Sequence, residues 1–416
     1  MQKRKTIKKA PPRCAFCGKT TKEVGFLIEG NALGNSVCIC SVCHNTCEHI
    51  FTYKFDREKK SFSSQSVTKK LSQIVPRQIK EHLDQHVIGQ NNAKCALAIS
   101  VANHYKRIFS PKSDKLCPFK DVKIEKSNVL LVGPTGSGKT LLIKKLAEFL
   151  DVPLAIGDAT SLTEAGYVGE DVESLITSLY RNSEYDIKKT EKGIIYIDEI
   201  DKIAKSRNNV SITKDVSGEG VQQGLLKIIE GTVCNVMPQG GRKHPEQKFL
   251  QIDTSNILFI VGGTFVGLED IVQRRNGQRM GFGTVHKADE ELEVLPEDLV
   301  YFGMIPEFVG RFPLIQKLEK LQVDDLLHVL LEPKNSLVNQ YKKSYKYDDV
   351  DLDFDRLALE KIAKIAYGFE TGARGLKQVI EKVLFDFSFN IDKYKGQNLK
   401  ITEQDVERSW KKILKS

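Results

Sequence analysis

Residues 133–140 read Gly133-Pro134-Thr135-Gly136-Ser137-Gly138-Lys139-Thr140 and match the phosphate-loop pattern G-x-x-x-x-G-K-[ST] at every fixed position. The flanks agree with the pattern. Val129-Leu130-Leu131-Val132 is an apolar run of strand length, and Leu141 to Leu150 places apolar residues at helical spacing. A strand feeding a glycine-rich turn that opens a helix suits phosphate binding. The glycines let backbone N–H groups curl around an anion, and the helix N-terminus adds the positive end of its dipole. Lys139 is placed to reach the β- and γ-phosphates of ATP, and the Thr140 hydroxyl to hold Mg²⁺. Gly133 to Thr140, with Leu141 beyond them, form the expected nucleotide-binding stretch.

A second nucleotide signature follows. Gly193-Ile194-Ile195-Tyr196-Ile197-Asp198-Glu199 is an apolar strand ending in two carboxylates. Asp198 is placed to contact Mg²⁺ through its water shell, and Glu199 to orient and polarise the attacking water. Successive side chains on a strand point to opposite faces, so both carboxylates serve one site only if the chain turns there. Val152 to Ile156 and Asn256 to Val261 are further buried-strand runs. Strands alternating with helices predict an α/β fold with a parallel sheet covered on both faces. Upstream, Val87-Ile88-Gly89-Gln90 precedes an amphipathic helix and reads as a wall for the adenine base. From Leu314 the pattern turns helical, over Val323 to Tyr341, Leu357 to Tyr367 and Gly375 to Phe389, with a short strand near Leu399-Lys400-Ile401. This predicts a small, mostly helical lid in which Arg374, at a helix start, can reach a nucleotide held between the two domains.

Six of the nine cysteines lie before residue 48. Cys14-x-x-Cys17 and Cys40-x-x-Cys43, separated by 22 residues, supply the four thiolates of a closed structural Zn²⁺ site. Cys38 and Cys47 leave the choice of ligands open, and His44 and His49 are expected at the surface. The expected domains are 1–55 (basic tail and zinc-binding domain), 56–75 (flexible linker), 76–313 (large ATPase domain) and 314–416 (lid). Over 416 residues no apolar run approaches the ~18–20 of a membrane span, and the N-terminus lacks the apolar core of a secretory signal. A cytoplasmic location without membrane attachment is the expectation. The net charge of +9 is concentrated early, with eight Lys or Arg before the first acidic residue, Glu23, and reads as a solvated tail.

Other stretches are ambiguous by residue type alone. Gly166-Tyr167-Val168-Gly169 is either an exposed turn or one with Tyr167 folded inward. Gln239 to Pro245, containing Arg242, Lys243 and His244, is a basic loop that is solvated or meets an acidic partner. Met280 and Phe282 are apolar residues in a Gly-rich polar stretch and suggest a partner pocket. Arg311, between Gly310 and Phe312, is an ordinary salt-bridge partner or an arginine donated to a neighbour's γ-phosphate. Gly224 inside a helix from about Val221 to Glu230 costs about 1 kcal/mol against Ala and has no reason beyond close packing.

Taken in order, the zinc knuckles, Val-Ile-Gly-Gln, the phosphate loop, Gly-Tyr-Val-Gly, Ile-Asp-Glu-Ile-Asp, Arg-Lys-His, Gly-Arg-Phe-Pro and Gly-Ala-Arg-Gly-Leu closely resemble the ClpX family, from about Arg13 to Phe387. These are the AAA+ unfoldase subunits of the Clp protease. The resemblance implies an AAA+ P-loop NTPase with a small helical lid and an N-terminal Cys₄ zinc domain, using ATP, Mg²⁺ and Zn²⁺. It implies a homohexamer that unfolds tagged proteins, some brought by adaptor proteins, and also acts as a chaperone. Tyr167 and Val168 resemble the pore-loop pair that grips polypeptide, and Thr213 to Gly220 a second pore loop. Arg242, Lys243 and His244 resemble the tag-recognising loop at the pore mouth. Arg311 resembles the arginine finger and Arg374 the second sensor. Met280-Gly281-Phe282 stands where the family has Ile-Gly-Phe or Leu-Gly-Phe, which docks on the ClpP peptidase ring; Met for Ile is a volume-tolerant change. The chain departs from the family in a longer zinc loop carrying Cys38, and in Gly224 for Ala. The competing class, a nucleic-acid-remodelling ATPase, fits less well, because Cys47-Glu48-His49-Ile50-Phe51 is apolar and acidic and not a basic recognition helix.

Overall fold

Two antiparallel strands carry the cysteine-rich segment, β1 (Leu27–Ala32) and β2 (Asn35–Cys40), with Leu27 opposite Cys40. A single helical turn, Thr21–Val24, precedes them, and the Glu23 carboxylate accepts the Thr20 N–H at 2.7 Å. These elements come from a computed structural model that describes residues 12–32, 35–45, 47, 71, 74–109, 122, 124–163, 170–205, 218–236, 249–279 and 293–413. The chain divides into two units, Met1–Lys70 and Leu71–Ser416.

The second unit opens with helices α1 (Pro76–Asp84) and α2 (Asn91–Phe109). Its centre is a five-stranded sheet in the order β11-β3-β10-β7-β4, with every neighbouring pair parallel. The strands are β3 (Val129–Val132), β4 (Leu154–Asp158), β7 (Ile194–Asp198), β10 (Leu258–Gly263) and β11 (Leu314–Lys317). Every residue of β3 and β10 is buried, as are Ile194 to Ile197 of β7, so these strands are covered on both faces. That is the environment an uninterrupted apolar run requires. In register, Val129 lies opposite Ile260 and Leu314, and Ile194 opposite Leu258 and Leu154. The carboxyl ends of β3, β10 and β7 are therefore side by side, which is where open α/β sheets bind ligands. The sequence boundary after Pro313 falls immediately before β11, which belongs to this sheet.

Helix α3 (Lys139–Leu150) follows the phosphate loop and buries Leu142, Ile143, Leu146, Ala147 and Leu150. Each fully buried leucine contributes about 2 kcal/mol of transfer free energy. Two-residue strands β5 (Leu162–Thr163) and β6 (Glu170–Asp171) pair in parallel, and helix α4 (Ser174–Asn182) follows. Helix α5 (Glu219–Glu230) starts two residues earlier than its pattern suggests. The reason for Gly224 is now visible, because a Cβ there would stand 2.9 Å from Cγ2 of Val172. Strands β8 (Val233–Val236) and β9 (Leu250–Asp253) form an antiparallel pair. Helices α6 (Leu268–Arg279) and α7 (Pro296–Phe302) follow, and then a single turn, Pro306–Gly310.

The lid differs from its sequence pattern at two points. The helix expected over Val323 to Tyr341 is two helices, α8 (Val323–Leu331) and α9 (Leu337–Tyr347). Pro333 lacks the N–H that a continuous helix needs, and the Ser336 hydroxyl caps the new start by accepting the Asn339 N–H. The short strand is β13 (Asn398–Ile401), which alternates exposed and buried residues, and it pairs in parallel with β12 (Asp351–Phe354), where Leu352 and Phe354 are buried. Helices α10 (Arg356–Tyr367), α11 (Ala373–Phe389) and α12 (Glu403–Ile413) pack around an apolar core that includes Ile362, Leu376 and Val383. No helix among the described residues is long and apolar enough to cross a membrane.

Candidate functional site

β3 delivers the chain to Gly133, whose N–H donates to the Gly263 carbonyl at the end of β10, 3.1 Å away. The turn then needs left-handed backbone at Gly136 (φ +77°) and Gly138 (φ +101°), which glycine adopts without penalty. No side chain caps the start of α3 at Gly138, so its first-turn N–H groups face the loop without a side-chain acceptor. Ser137 Oγ is buried without a partner in the same loop. Lys139 is only 7% exposed, and its Nζ donates to the carbonyls of Gly133 (2.6 Å) and Pro134 (3.1 Å). Burial lowers its pKa; Asp198 and Asp201 oppose that shift, and Arg374 adds to it. Free helix N–H groups, an orphaned hydroxyl and a desolvated lysine all fit a bound polyphosphate. Leu141, just past the loop, is exposed on α3.

β7 ends on Asp198, whose Oδ2 accepts the Thr140 hydroxyl at 2.9 Å. This bond joins the two residues expected to hold Mg²⁺ and leaves the Thr140 lone pairs free for a cation. Glu199 solves the alternation problem by taking a left-handed conformation (φ +56°), which ends the strand and starts the 3₁₀ turn Ile200–Ile203. A non-glycine residue at positive φ is strained by about 1–2 kcal/mol unless its surroundings hold it there. Here the Glu199 N–H donates to Asp198 Oδ1 at 3.0 Å. Asp201, two residues on, is buried and accepts both the N–H and the hydroxyl of Thr264, each at 3.0 Å. The turn carrying Glu199 is thereby fastened to the end of β10.

The lid closes the other side. The Ala373 N–H at the start of α11 donates to the Gly136 carbonyl at 3.2 Å. Cβ atoms on Gly136 or Gly372 would meet the opposing backbone at 2.1 and 2.8 Å, so phosphate loop and lid touch backbone to backbone. A cleft between them is lined by Pro134, Thr135, Ser137, Leu321, Tyr367 and Gly372. Arg374 is exposed beside this junction. Val87 is buried within 3.6 Å of a Cβ built on Gly138, and Ile88 is half-buried next to it. Gln90 bonds Glu319 through both amide atoms, at 2.9 Å each, and so ties the start of α2 to the segment entering the lid. Arg311 lies on the surface, with its Nε 2.9 Å from the Glu230 carboxylate at the end of α5.

In the first unit the sulfurs of Cys14, Cys17, Cys40 and Cys43 all lie within 4.8 Å of one another. Tetrahedral zinc with bonds near 2.3 Å sets its sulfurs about 3.8 Å apart, and Cys17 and Cys40 stand at 3.8 Å. Backbone N–H groups of Cys40 and Cys43 reach the sulfurs of Cys14 and Cys40, at 3.4 Å each. Burial pushes the Cys14 thiol up, but backbone hydrogen bonds from Cys17, Phe16 and Cys40 bring it to about 6. Cys43 is pushed up to about 12 by hydrogen bonding to Cys40 and by burial. Four thiolates this close repel one another, so a dication is what makes the cluster favourable. Cys38 is buried on β2, with its carbonyl accepting the Ala15 N–H, and neither it nor Cys47 belongs to the sulfur cluster.

Comparison with known proteins gives this geometry a family. The pattern of the ClpX C4-type zinc finger matches residues 12–52, the AAA domain (Cdc48 subfamily) residues 124–315, and the C-terminal D2-small domain of ClpB protein residues 321–387. The ATP-dependent Clp protease ATP-binding subunit ClpX of Treponema denticola is 50% identical over 393 residues, covering 92% of this chain and 91% of that protein. The proteins of the same description from Borrelia duttonii and Borrelia recurrentis are each 49% identical over 399 residues, covering 94% of this chain and 90% of theirs. The chain belongs to the ClpX family. It is an AAA-family ATPase, with ATP, Mg²⁺ and Zn²⁺ as its cofactors.

Several residues this ClpX-family chain was expected to use lie outside the described residues: Tyr167 and Val168, Arg242, Lys243 and His244, Met280, Gly281 and Phe282, and Thr213 to Ser217. What is described is where those segments start and end. The first lies between β5 and β6, the second between β8 and β9, the third between α6 and α7, and the fourth between the turn Ile200–Ile203 and α5. At α6, the largely buried Arg275 side chain pairs with Asp298 of α7 at 3.2 Å and donates to the Glu293 carbonyl. The sequence motifs contain Gln90 and Asp201 but show neither of their partners, Glu319 and Thr264. The available signal was the second aspartate of Ile-Asp-Glu-Ile-Asp, whose partner lies 63 positions away.

Proposed function

We propose that this chain is an ATP-driven protein unfoldase of the cytoplasm. It works as a homohexamer that draws tagged polypeptides through a central pore and passes them to a ClpP-type peptidase ring. The observation that carries the reading is the backbone contact between Gly136 of the phosphate loop and Ala373 of the lid. Nucleotide bound in that loop bears on the lid directly, so a change at the γ-phosphate becomes a change of lid angle. In an oligomer of such subunits, lid movement is mechanical work.

In the proposed chemistry, ATP lies along Gly133 to Thr140 with its base against Val87 and Ile88. Lys139 leaves its own loop carbonyls to contact the β- and γ-phosphates. Bound Mg²⁺, held by Thr140 and Asp198, supplies charge neutralisation of the phosphates. Glu199 orients a water and takes its proton as the water oxygen bonds to the γ-phosphorus and the bond to the ADP oxygen breaks. Arg311 supplies a cation to the neighbour's γ-phosphate, and Arg374 reads the nucleotide from the lid. In the isolated chain Arg311 pairs with Glu230, and an exposed pair of this kind holds by only ~0–1 kcal/mol. It can therefore be drawn away at little cost. Tyr167 and Val168 would grip the polypeptide, Arg242, Lys243 and His244 would receive tags, and Met280-Gly281-Phe282 would dock the peptidase.

The test is ATP-dependent unfolding of a tagged fluorescent protein by the purified hexamer. Wild type is expected to abolish the fluorescence, and Tyr167→Ala to retain ATP hydrolysis while losing most unfolding. Wild-type protein that hydrolyses ATP and leaves every tagged substrate folded refutes the reading. Retention on an immobilised peptidase ring, lost in Phe282→Ala, tests delivery separately.

A further inference from the structure

Tyr196 is fully buried in the middle of β7, yet its hydroxyl donates to Asp198 Oδ1 at 3.1 Å. The two side chains are two residues apart on one strand and so share a face. Asp198 thus accepts three hydrogen bonds: from Thr140 on Oδ2, and from Tyr196 and the Glu199 N–H on Oδ1. Room for the phenol comes from the neighbouring strand. Ile260 of β10 is directly opposite Tyr196, and two residues along stands Gly262, where a Cβ would fall 2.2 Å from the Tyr196 oxygen. The phenol is the donor in this contact, because an ionised carboxylate only accepts.

We infer that Tyr196 is a positioning residue for ATP hydrolysis: seated in the gap left by Gly262, its hydroxyl fixes the rotation of the Asp198 carboxylate. With Oδ1 committed to Tyr196 and the Glu199 N–H, Oδ2 is turned toward Thr140 and the Mg²⁺ position. The same Oδ1 holds the left-handed turn that presents Glu199, so one phenol orders both carboxylates. A carboxylate without this third donor can rotate, and both functions lose definition together. The inference rests on the roles proposed above for Asp198 and Glu199.

The experiment uses the full chain and measures ATP hydrolysis against Mg²⁺ concentration, with binding of a fluorescent ADP analogue in EDTA as the control. Tyr196→Phe removes one oxygen from a buried ring of otherwise unchanged shape. Loss of a hydrogen bond to a charged group predicts a fall in kcat and a rise in half-saturating Mg²⁺, together on the order of tenfold. Binding of the analogue without Mg²⁺ is expected to stay at the wild-type level. Gly262→Ala, which displaces the hydroxyl and keeps the tyrosine, is expected to reproduce the defect. In the double variant the two effects should not add, because the atom displaced is already gone. Unchanged kcat and Mg²⁺ dependence in Tyr196→Phe, alongside an Asp198→Asn variant that loses both, overturns the inference and leaves the site reading intact. Equal loss of Mg²⁺-free binding in Tyr196→Phe also overturns it, by making the role structural. Unaltered Mg²⁺ dependence in Asp198→Asn refutes the site reading and this inference with it.

Discussion

Around the four zinc-site cysteines, the buried side chains among the described residues are Cys14, Cys38 and Cys40, while Phe16, Phe26, Ile28 and Val42 are exposed. Around the phosphate loop, the strands that carry it are buried end to end and rest on a core running from Leu130 to Phe312. One polar site is therefore a cause of its local fold and the other a consequence. A unit whose described residues bury little besides cysteine needs the metal to order them, whereas the ATPase sheet is ordered before any ligand arrives. The comparison predicts opposite responses to losing what each site holds.

The largest effect is expected at the zinc. Structural zinc contributes on the order of 10 kcal/mol to small domains of this kind, far beyond what three buried cysteines supply. Stripping the metal with a chelator should abolish amide protection across residues 12–47 and leave the melting transition of the ATPase unit in place. Cys17→Ser should do the same without chelator. Protection that survives metal removal would break the contrast, by showing a fold that the sulfur cluster does not create.

Next in size is Glu199→Gln. Its side chain is exposed and its backbone is held by Asp198 and the adjoining turn. The substitution should cost about 10²–10⁴ in kcat, the usual worth of a positioned general base. Melting temperature and ATP affinity should not move. Single-turnover hydrolysis with a parallel melt checks both halves. Wild-type turnover would remove Glu199 from the chemistry, and a large fall in melting temperature would mean that the nucleotide site does support its surroundings.

Much of this was legible because some motifs are themselves chemistry. Gly133 to Thr140 and Asp198-Glu199 can be read locally, since spacing and residue type dictate the turn and the charge. The spacing of Cys14, Cys17, Cys40 and Cys43 likewise anticipates which sulfurs the structure brings together. What escaped depends on register and on distant partners. Tyr196 looks like one more strand residue until Gly262 is placed beside it on β10. Asp201 is an acidic turn until Thr264 arrives from 63 residues away. The lid helix expected through Pro333 failed for a different reason: apolar periodicity continued across the proline, and the missing N–H decided the outcome. The pairing of β12 with β13 was also beyond local reading, because Asp351 and Asp353 give β12 a composition that disfavours a strand until its partner is present.

The smallest effect is the one that probes how tightly the preformed unit is packed. Gly224 sits in the middle of α5, where alanine gains about 1 kcal/mol of helix propensity. Against that, the new Cβ would stand 2.9 Å from Cγ2 of Val172, a short β-branched side chain that is itself buried. Val172 has little rotamer freedom with which to retreat, and overpacking of this kind typically costs about 1–3 kcal/mol. The two terms nearly cancel and the clash is the larger, so Gly224→Ala should lower the melting temperature by roughly 2 °C. Val172→Ala in the same chain removes the obstructing methyl, and the pair should couple favourably in a double-mutant cycle. A melting temperature that rises in the single Gly224→Ala variant would show slack between α5 and the turn before α4. The ATPase unit would then be less rigid around β6 than around β3, β7 and β10, and the contrast with the zinc unit would hold for the sheet alone.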